Sequence, residues 1–397
     1  MAKKVNKKSS EIIKLPNPFK FGTIVDNDRF CNRVDELRTL KQYIYDGYSV
    51  WLFSPRRYGK SSLVQKAFAQ VGDSITIYID LYNVKSIDDF AKKYSKALAD
   101  NLFNWKTGIK KISTTLSKYF SSLYPKVSIG TDGIPSMSIE KKQINQQVDI
   151  EQILNMPELF AKDNNVKICI AFDEFQEVER IDPFIINWMR TAFQNHKHVS
   201  YIFLGSKQSL MKEIFADIES PFYEFAVKMD LGEISAEDLS DFIKEKFKKN
   251  NIEISQATID EILKRSERHP HFTQYFASVV FDAIRYGENQ HDEDFADRWM
   301  DKIINSQGII FQTIYDQLSR NQRSVISAIA QLDDKQELFS DTVRTEFGLP
   351  VSSSIAITLE ALIKKSLVYK TPKGKYRIDN PVLKEWVYRL NTNGLKR

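Results

Sequence analysis

Residues 54–62 read SPRRYGKSS, between the apolar run Ser49 to Phe53 and the amphipathic stretch Leu63 to Ala69. A strand, a loop and a helix therefore meet at one Gly-Lys-Ser triplet, as they do in α/β sheets. The chemistry of that junction suits a nucleoside triphosphate. Successive backbone N–H groups and the helix N-terminus offer partial positive charge to a β-phosphate, Lys60 adds a full charge, and the Ser61 hydroxyl can ligate Mg2+. Gly59 lets the backbone come close to the phosphates. Pro55, Arg56, Arg57, Tyr58, Gly59, Lys60, Ser61 and Ser62 are thus the candidate phosphate-binding residues. Ser54 stands where such loops usually begin with glycine, and the triplet by itself is equally a helix N-terminus with a serine cap.

Support comes from residues 166–175, VKICIAFDEF. The continuous apolar run suits a strand buried on both faces, and it ends in two adjacent carboxylates. Ligands of open parallel sheets bind at the C-terminal edge of the strands. There Asp173 can hold Mg2+ through water, while Glu174, on the opposite side of the pleat, polarises an attacking water. The bland alternative is a solvated charge pair that ends a strand.

Five candidate strands fall in order at 49–53, 75–81, 167–172, 200–205 and 226–231, with helical patterns between them, which predicts an α/β fold with a largely parallel sheet. The fourth run, YIFLGS, ends in Gly205 and Ser206. A small polar side chain there can reach the γ-phosphate region beside the carboxylates, as in P-loop ATPases that insert an extra strand between the two motif strands.

The 397 residues suggest two or three domains, and an apolar share of 42% can supply their cores. No apolar run approaches the roughly 20 residues that span a bilayer, and MAKKVNKKSS lacks the apolar segment of a signal peptide. The reading is cytoplasmic, with no membrane partner. Cys31 and Cys169 have no paired spacing and read as reduced thiols. His196 and His198 make a poor zinc site without a third ligand nearby. Net charge is +5, and residues 1–20 hold six lysines against Glu11, so this tail carries the whole excess. It is either a solvated tail or a nucleic-acid arm.

The organisation expected is a basic flexible tail over 1–20, an ATPase core over 21–235 with an insertion at about 106–148, a helical lid over 236–310 and a winged helix over 311–397. Within the insertion, two alternating runs flank Thr131-Asp132-Gly133 and predict a β-hairpin. The lid contains SERHPHFTQYF, where Pro270 starts or kinks a helix and is counted with the nucleotide-binding residues; Arg265, Arg268 or His269 can reach phosphates when a lid closes. From 311 the pattern gives helices at 321–332, 339–346 and 351–365, then short strands at 366–369 and 375–378, which together make a helix-turn-helix with a wing. Residues 364–377 hold six basic side chains and no acid, which suits phosphate contacts together with Ser352, Ser353 and Ser354. Ile355, Ala356, Ile357 and Leu359 suit a core or a protein dock instead. DNA and protein partners both stay open, as does oligomerisation.

With NPFKFGTIV, FCNRVDEL, SPRRYGKSSL, IAFDEFQEV, FLGSKQSLM, HPHFTQ and YRIDNPVLKEW in this order, the chain resembles the archaeal-type ATPases of the AAA+/STAND group over roughly residues 17–390. The resemblance implies an α/β P-loop NTPase core with a five-stranded, mainly parallel, AAA+-like sheet, a helical lid and a C-terminal winged helix. It implies ATP and Mg2+ as cofactors, Lys60 on the phosphates, Ser61 and Asp173 on the metal, Glu174 as catalytic carboxylate and Ser206 as phosphate sensor. Phe30 and Arg33 would lie near the adenine. Where such ATPases carry Pro-aromatic-Tyr-Gly-Arg, this chain has Pro221-Phe222-Tyr223-Glu224-Phe225 and lacks the arginine, which implies slow turnover unless Arg190 or Arg57 substitutes. A switch with weak ATPase activity, an ATP-stabilised DNA-binding protein of replication-initiator type and a non-hydrolysing scaffold are the three functions compatible with this reading.

The tail makes one prediction. Deleting residues 1–20 should lower retention on immobilised nonspecific duplex DNA at low salt, and unchanged retention would discard the nucleic-acid arm.

Overall fold

Parallel strands cannot be joined by tight turns, so a sheet of them forces helices between its strands. The computed structural model describes residues 16–22, 31–102, 124–129, 135–140, 146–333, 336–371 and 374–392, with backbone alone at 124–129, 135–140 and 146–149. They form two units, one of Arg33–Ser54 and Gly59–Gly232, the other of Met1–Asn32, Pro55–Tyr58 and Glu233–Arg397.

The first unit runs α1 (Val34–Asp46), β1 (Val50–Phe53), α2 (Lys60–Phe68), β2 (Ser74–Asp80), α3 (Ile87–Leu102), β3 (Tyr124–Ile129), β4 (Pro135–Glu140), α4 (Gln146–Asn164), β5 (Lys167–Asp173), a 3-10 segment (Phe175–Arg180), α5 (Ile185–Phe193), β6 (Val199–Leu204), α6 (Gln208–Ala216) and β7 (Val227–Asp230). The five strands expected from the sequence make one sheet in the order β2-β5-β6-β1-β7, every pair parallel. The extra strand, β6, does stand between the loop strand β1 and the acidic strand β5. Strands β3 and β4 pair antiparallel as a separate hairpin; its turn, Thr131-Asp132-Gly133, lies outside the described residues, as do Phe30 and residues 1–15.

Register explains the core. Ile79, Phe172, Phe203 and Trp51 are successive partners across four strands, so their side chains share one face. Phe172 is wholly buried, stacks near-parallel with Tyr94, Phe193, Tyr201 and Phe203, and meets Phe175 at a tilt. Side chains alternate along a strand, so Asp173 is on the other face.

The second unit holds α7 (Ala236–Lys249), α8 (Gln256–Arg265), α9 (Pro270–Arg285), α10 (Phe295–Asp316), α11 (Arg320–Gln331), α12 (Asp341–Glu346), α13 (Ser352–Lys364), β8 (Val368–Lys370), β9 (Tyr376–Ile378) and α14 (Pro381–Thr392). Serines cap the helices here: Ser235, Ser255 and Ser340 accept from backbone N–H groups, and Ser319 forms a capping box with Gln322. Pro270 starts α9 and does not kink a helix, because a first-turn proline has no lost hydrogen bond to answer for. Helix α10 runs through residue 310, where the sequence pattern changes. Residues from both sides, including Phe281, Trp299, Val325, Leu359 and Val387, share one hydrophobic cluster. Helices α11, α12 and α13 with the antiparallel pair β8 and β9 form the winged helix. Among the described residues, no helix is long and apolar enough to cross a membrane.

Phe172→Ala should cost about 3–5 kcal/mol of stability, the usual loss for a large buried aromatic. Urea denaturation followed by circular dichroism measures it, and a loss below about 1 kcal/mol would mean that the aromatic layer does not carry the sheet.

Candidate functional site

The loop between β1 and α2 is divided between the units. In the first unit, Gly59 has φ 88°, in the left-handed region, and a Cβ placed there would have no neighbour within 4 Å. The loop therefore turns into the helix with open space above it. Lys60 is buried and its Nζ donates to the carbonyl and the Oγ of Ser54 at 3.2 Å each. Ser54 thus works as an acceptor for the lysine, a use that a leading glycine side chain could not offer. Ser61 Oγ donates to Asp173 Oδ2 at 2.6 Å, while Ser62 is buried in the first turn of α2.

Asp173 stands at the end of β5 and accepts from two further groups. The Glu174 backbone N–H donates to Oδ1 at 2.9 Å, and Tyr78 OH donates to Oδ2. Tyr78 pairs in register with Ala171, which puts it on the face that Asp173 shares, one step along the diagonal. Burial first, and then the Asp173 charge, push the Tyr78 hydroxyl far above its ordinary pKa, so it remains a donor. Ser61 Oγ and Asp173 Oδ2 bring two oxygens together, the donor type that a hard cation such as Mg2+ takes. These residues fit the metal, and the open left-handed glycine beside Lys60 fits a phosphate.

Glu174 has φ 53°, again left-handed, at the start of the 3-10 segment. Ser206 Oγ, just past the end of β6, donates to its Oε2 at 2.7 Å, and Gln176 Nε2 reaches the same oxygen at 2.5 Å. Glu177 takes Lys207 at 3.1 Å and Arg180 at 2.8 Å, and these cations hold its carboxyl below the usual range against the opposing effect of burial, which is the largest single influence. The structure thus brings Ser61 and Asp173 together and Glu174 and Ser206 together, while Lys60 is held on Ser54.

Residues Pro55–Tyr58 pack as part of the second unit. His269 Nε2 donates to the Arg56 carbonyl at 3.1 Å, and its Nδ1 accepts from the His271 backbone N–H at 3.2 Å, so the hydrogen bonds select the Nε2–H tautomer. The Tyr58 ring meets His269 edge-on at 4.7 Å, and its hydroxyl donates to Tyr369 of β8. Arg57 is held at φ 61°; burial and Arg56 lower its pKa, and Asp379 opposes them. A non-glycine residue in this conformation costs about 1–2 kcal/mol.

Other candidates have local duties. Arg33, buried before α1, pairs with Glu36 at 2.8 Å. Arg265 binds Glu261 and Asp297, and Arg268 binds Glu233. Arg190 donates to the Pro221 carbonyl at 2.8 Å, binds Gln194 at 2.9 Å and covers the Phe225 ring, so it braces the segment 221–225. His196 bonds Tyr201 and Asn155, and His198 bonds Glu158. Cys169 is buried, and its thiol is pushed up to about 12. Sequence reasoning missed Tyr78 and Gln176: no motif marks a tyrosine inside a strand, whereas the polar Gln176 between Phe175 and Val178 was a readable anomaly.

Residues 30–271 match the model of the family described as ATPase domain predominantly from Archaea, and residues 309–389 match that of a probable winged helix domain. Comparison with curated proteins finds no match. Among solved structures, the chain is similar to a Walker-type ATPase of Pyrococcus abyssi, at 17% identity and a TM-score of 0.62, over 95% of this chain and 99% of that one. It is also similar to the ORC2 protein of Aeropyrum pernix, solved as ADPNP-ADP complexes, at 13% identity and a TM-score of 0.51, over 96% of this chain and 100% of that one. At these identities the likeness is one of fold.

Burial pushes His269 down to about 3, and His271 and His196 down to about 4. These folded values lie below the ordinary 6.5, so between about pH 4 and 6.5 the unfolded chain binds more protons. Their stabilisation is complete above pH 6.5 and is lost as pH falls, by up to about 1.4 kcal/mol per pH unit for each histidine. Urea midpoints at pH 7 and pH 5 should show the fall, and His196→Gln should flatten it; an equal slope in that variant would refute the assignment.

Proposed function

The chain belongs to the family of ATPase domains found predominantly in Archaea, joined here to a winged helix domain, and on that footing we propose that it is an ATP-dependent switch with slow hydrolysis, in which nucleotide state controls the availability of the winged helix. The observation that carries this reading is the loop from Ser54 to Ser62. Its Ser61 bonds Asp173 and its Lys60 bonds Ser54, while Tyr58 packs with His269 and Tyr369 in the unit that holds the winged helix. A loop that must close on phosphates cannot do so without pulling on residues to which it is covalently bound. Bound phosphate and the packing of Tyr58 are then coupled through one short piece of backbone.

In this proposal Lys60 and the backbone N–H groups from Gly59 to Ser62 bind the phosphates; Pro55, Arg56, Arg57, Tyr58, Arg33 and Pro270 are the further nucleotide-binding candidates. Ser61 and Asp173 hold Mg2+, which supplies charge neutralisation at the phosphate oxygens. Glu174 orients a water and takes its proton, and Ser206 senses the γ-phosphate. Slow turnover follows from Glu224 and Phe225 standing where the family arginine is expected. A cytoplasmic setting goes with Cys31 and Cys169 as buried thiols.

A second reading, DNA binding of the replication-initiator kind, draws on the basic run 364–377. Against it, Val351, which precedes α13, and Ile357 within it are 59% and 69% exposed, which suits a protein surface better than phosphates.

Steady-state hydrolysis and ATP binding should be measured for the wild type, Lys60→Ala and Glu174→Gln, with and without duplex DNA. Glu174→Gln should lose about 100-fold or more in kcat and keep its ATP affinity, as expected for loss of a general base. Lys60→Ala should lose affinity. Binding without hydrolysis in the wild type would instead indicate a scaffold, and DNA binding that weakens as a power of salt concentration would favour the second reading.

A further inference from the structure

Gln176 is wholly buried, two residues beyond Glu174. Its Nε2 lies 2.5 Å from Glu174 Oε2 and 3.5 Å from Glu177 Oε1, and Ser206 Oγ shares the first of these acceptors. The amide has only one sensible orientation, since an ionised carboxylate accepts and never donates. Its oxygen is then left pointing away from Glu174. Among the described residues Oε1 has no hydrogen-bond partner, and it is packed so tightly beside Gly205 that a Cβ there would stand 2.5 Å from it and 2.4 Å from Met211 Sδ.

That arrangement is expensive. A buried carbonyl without a donor costs about 1–3 kcal/mol, and an apolar side chain of the same shape would avoid the penalty. Packing alone therefore does not account for glutamine at this position. Glu174, meanwhile, leaves β5 with its backbone in the left-handed region, on a 3-10 segment that gives its side chain no other described tether than Gln176 and Ser206.

We propose that Gln176 is the positioning residue for Glu174. Its amide N–H, with the Ser206 hydroxyl, fixes the carboxylate through Oε2 and leaves Oε1, to which no described residue donates, as the oxygen that meets the attacking water. The inference rests on the hydrolytic reading above and adds to it a device that sets which carboxylate oxygen works. Gly205 belongs to the same device, because only a residue without a side chain leaves room for the amide.

Gln176→Leu tests it, because this change removes the tether and the orphaned carbonyl together while keeping the volume. kcat should fall about 10- to 100-fold with ATP affinity and KM kept, and the urea midpoint should hold or rise. The double variant Gln176→Leu with Ser206→Ala should lose less than the sum of the single losses in free energy, since both donors act on one oxygen. Wild-type kcat in Gln176→Leu would overturn the inference, as would losses that simply add. Loss of stability and ATP binding along with kcat would make Gln176 an ordinary core residue. The wild type and Glu174→Gln run beside these variants: hydrolysis that depends on Glu174 but not on Gln176 sinks the inference alone, whereas a wild type without hydrolysis sinks the functional reading and the inference with it.

Discussion

Asp173 accepts from three donors that the chain brings from three separate places: Ser61 at the start of α2, Tyr78 in β2 and the backbone of Glu174. The rest of the site hangs on this carboxylate. Ser61 reaches it across the width of β6, which stands between the two motif strands, so the distance from loop to acid is set by the strand order and not by the loop. Tyr78 reaches it only because β2 and β5 pair in the register that aligns Tyr78 with Ala171. A slip of one residue would turn the tyrosine to the opposite face and put it among the aromatics.

Those aromatics are the other half of the same constraint. Phe172 is locked into a stacked layer with Tyr94, Phe193, Tyr201 and Phe203, and a residue packed so fully leaves the next one in the strand no freedom of face. Asp173 is held on the open side by what Phe172 does on the closed side. The chain then leaves the sheet at Glu174 through a left-handed turn, a strained exit of the kind that a packed framework can sustain next to a functional group. Arg57 and Gly59 repeat the pattern in the loop, one strained and one naturally permissive. Arg57 and Glu174 are two of several non-glycine residues that the fold holds in the left-handed region.

In the second unit, neutral histidines carry an equivalent burden. His269 links the Arg56 carbonyl to the first turn of α9 and packs on Tyr58 and Phe272. A charged imidazolium in that surround would be costly, which is why burial depresses its pKa. The winged helix enters through Tyr369, the acceptor of the Tyr58 hydroxyl.

Much of this was legible in the residues themselves. The five strands, the Gly-Lys-Ser loop, the paired acids and the helix-turn-helix with its wing are local patterns, written in hydrophobic period, turn residues and caps, and local physics suffices to place them. Arg190 shows the limit, for it was a candidate stand-in for the missing arginine, and only packing reveals that it spends its donors on Pro221 and Gln194. The same holds for Tyr78 and Gln176, whose importance lies in register and in the direction of one amide. Sequence by itself determined which segments become strands and helices and which side chains bring chemistry, because those depend on neighbours a few residues apart. The tertiary structure alone decided which of them meet, since hydrogen bonds between residues roughly a hundred positions apart follow from strand order and core packing, which no local pattern encodes.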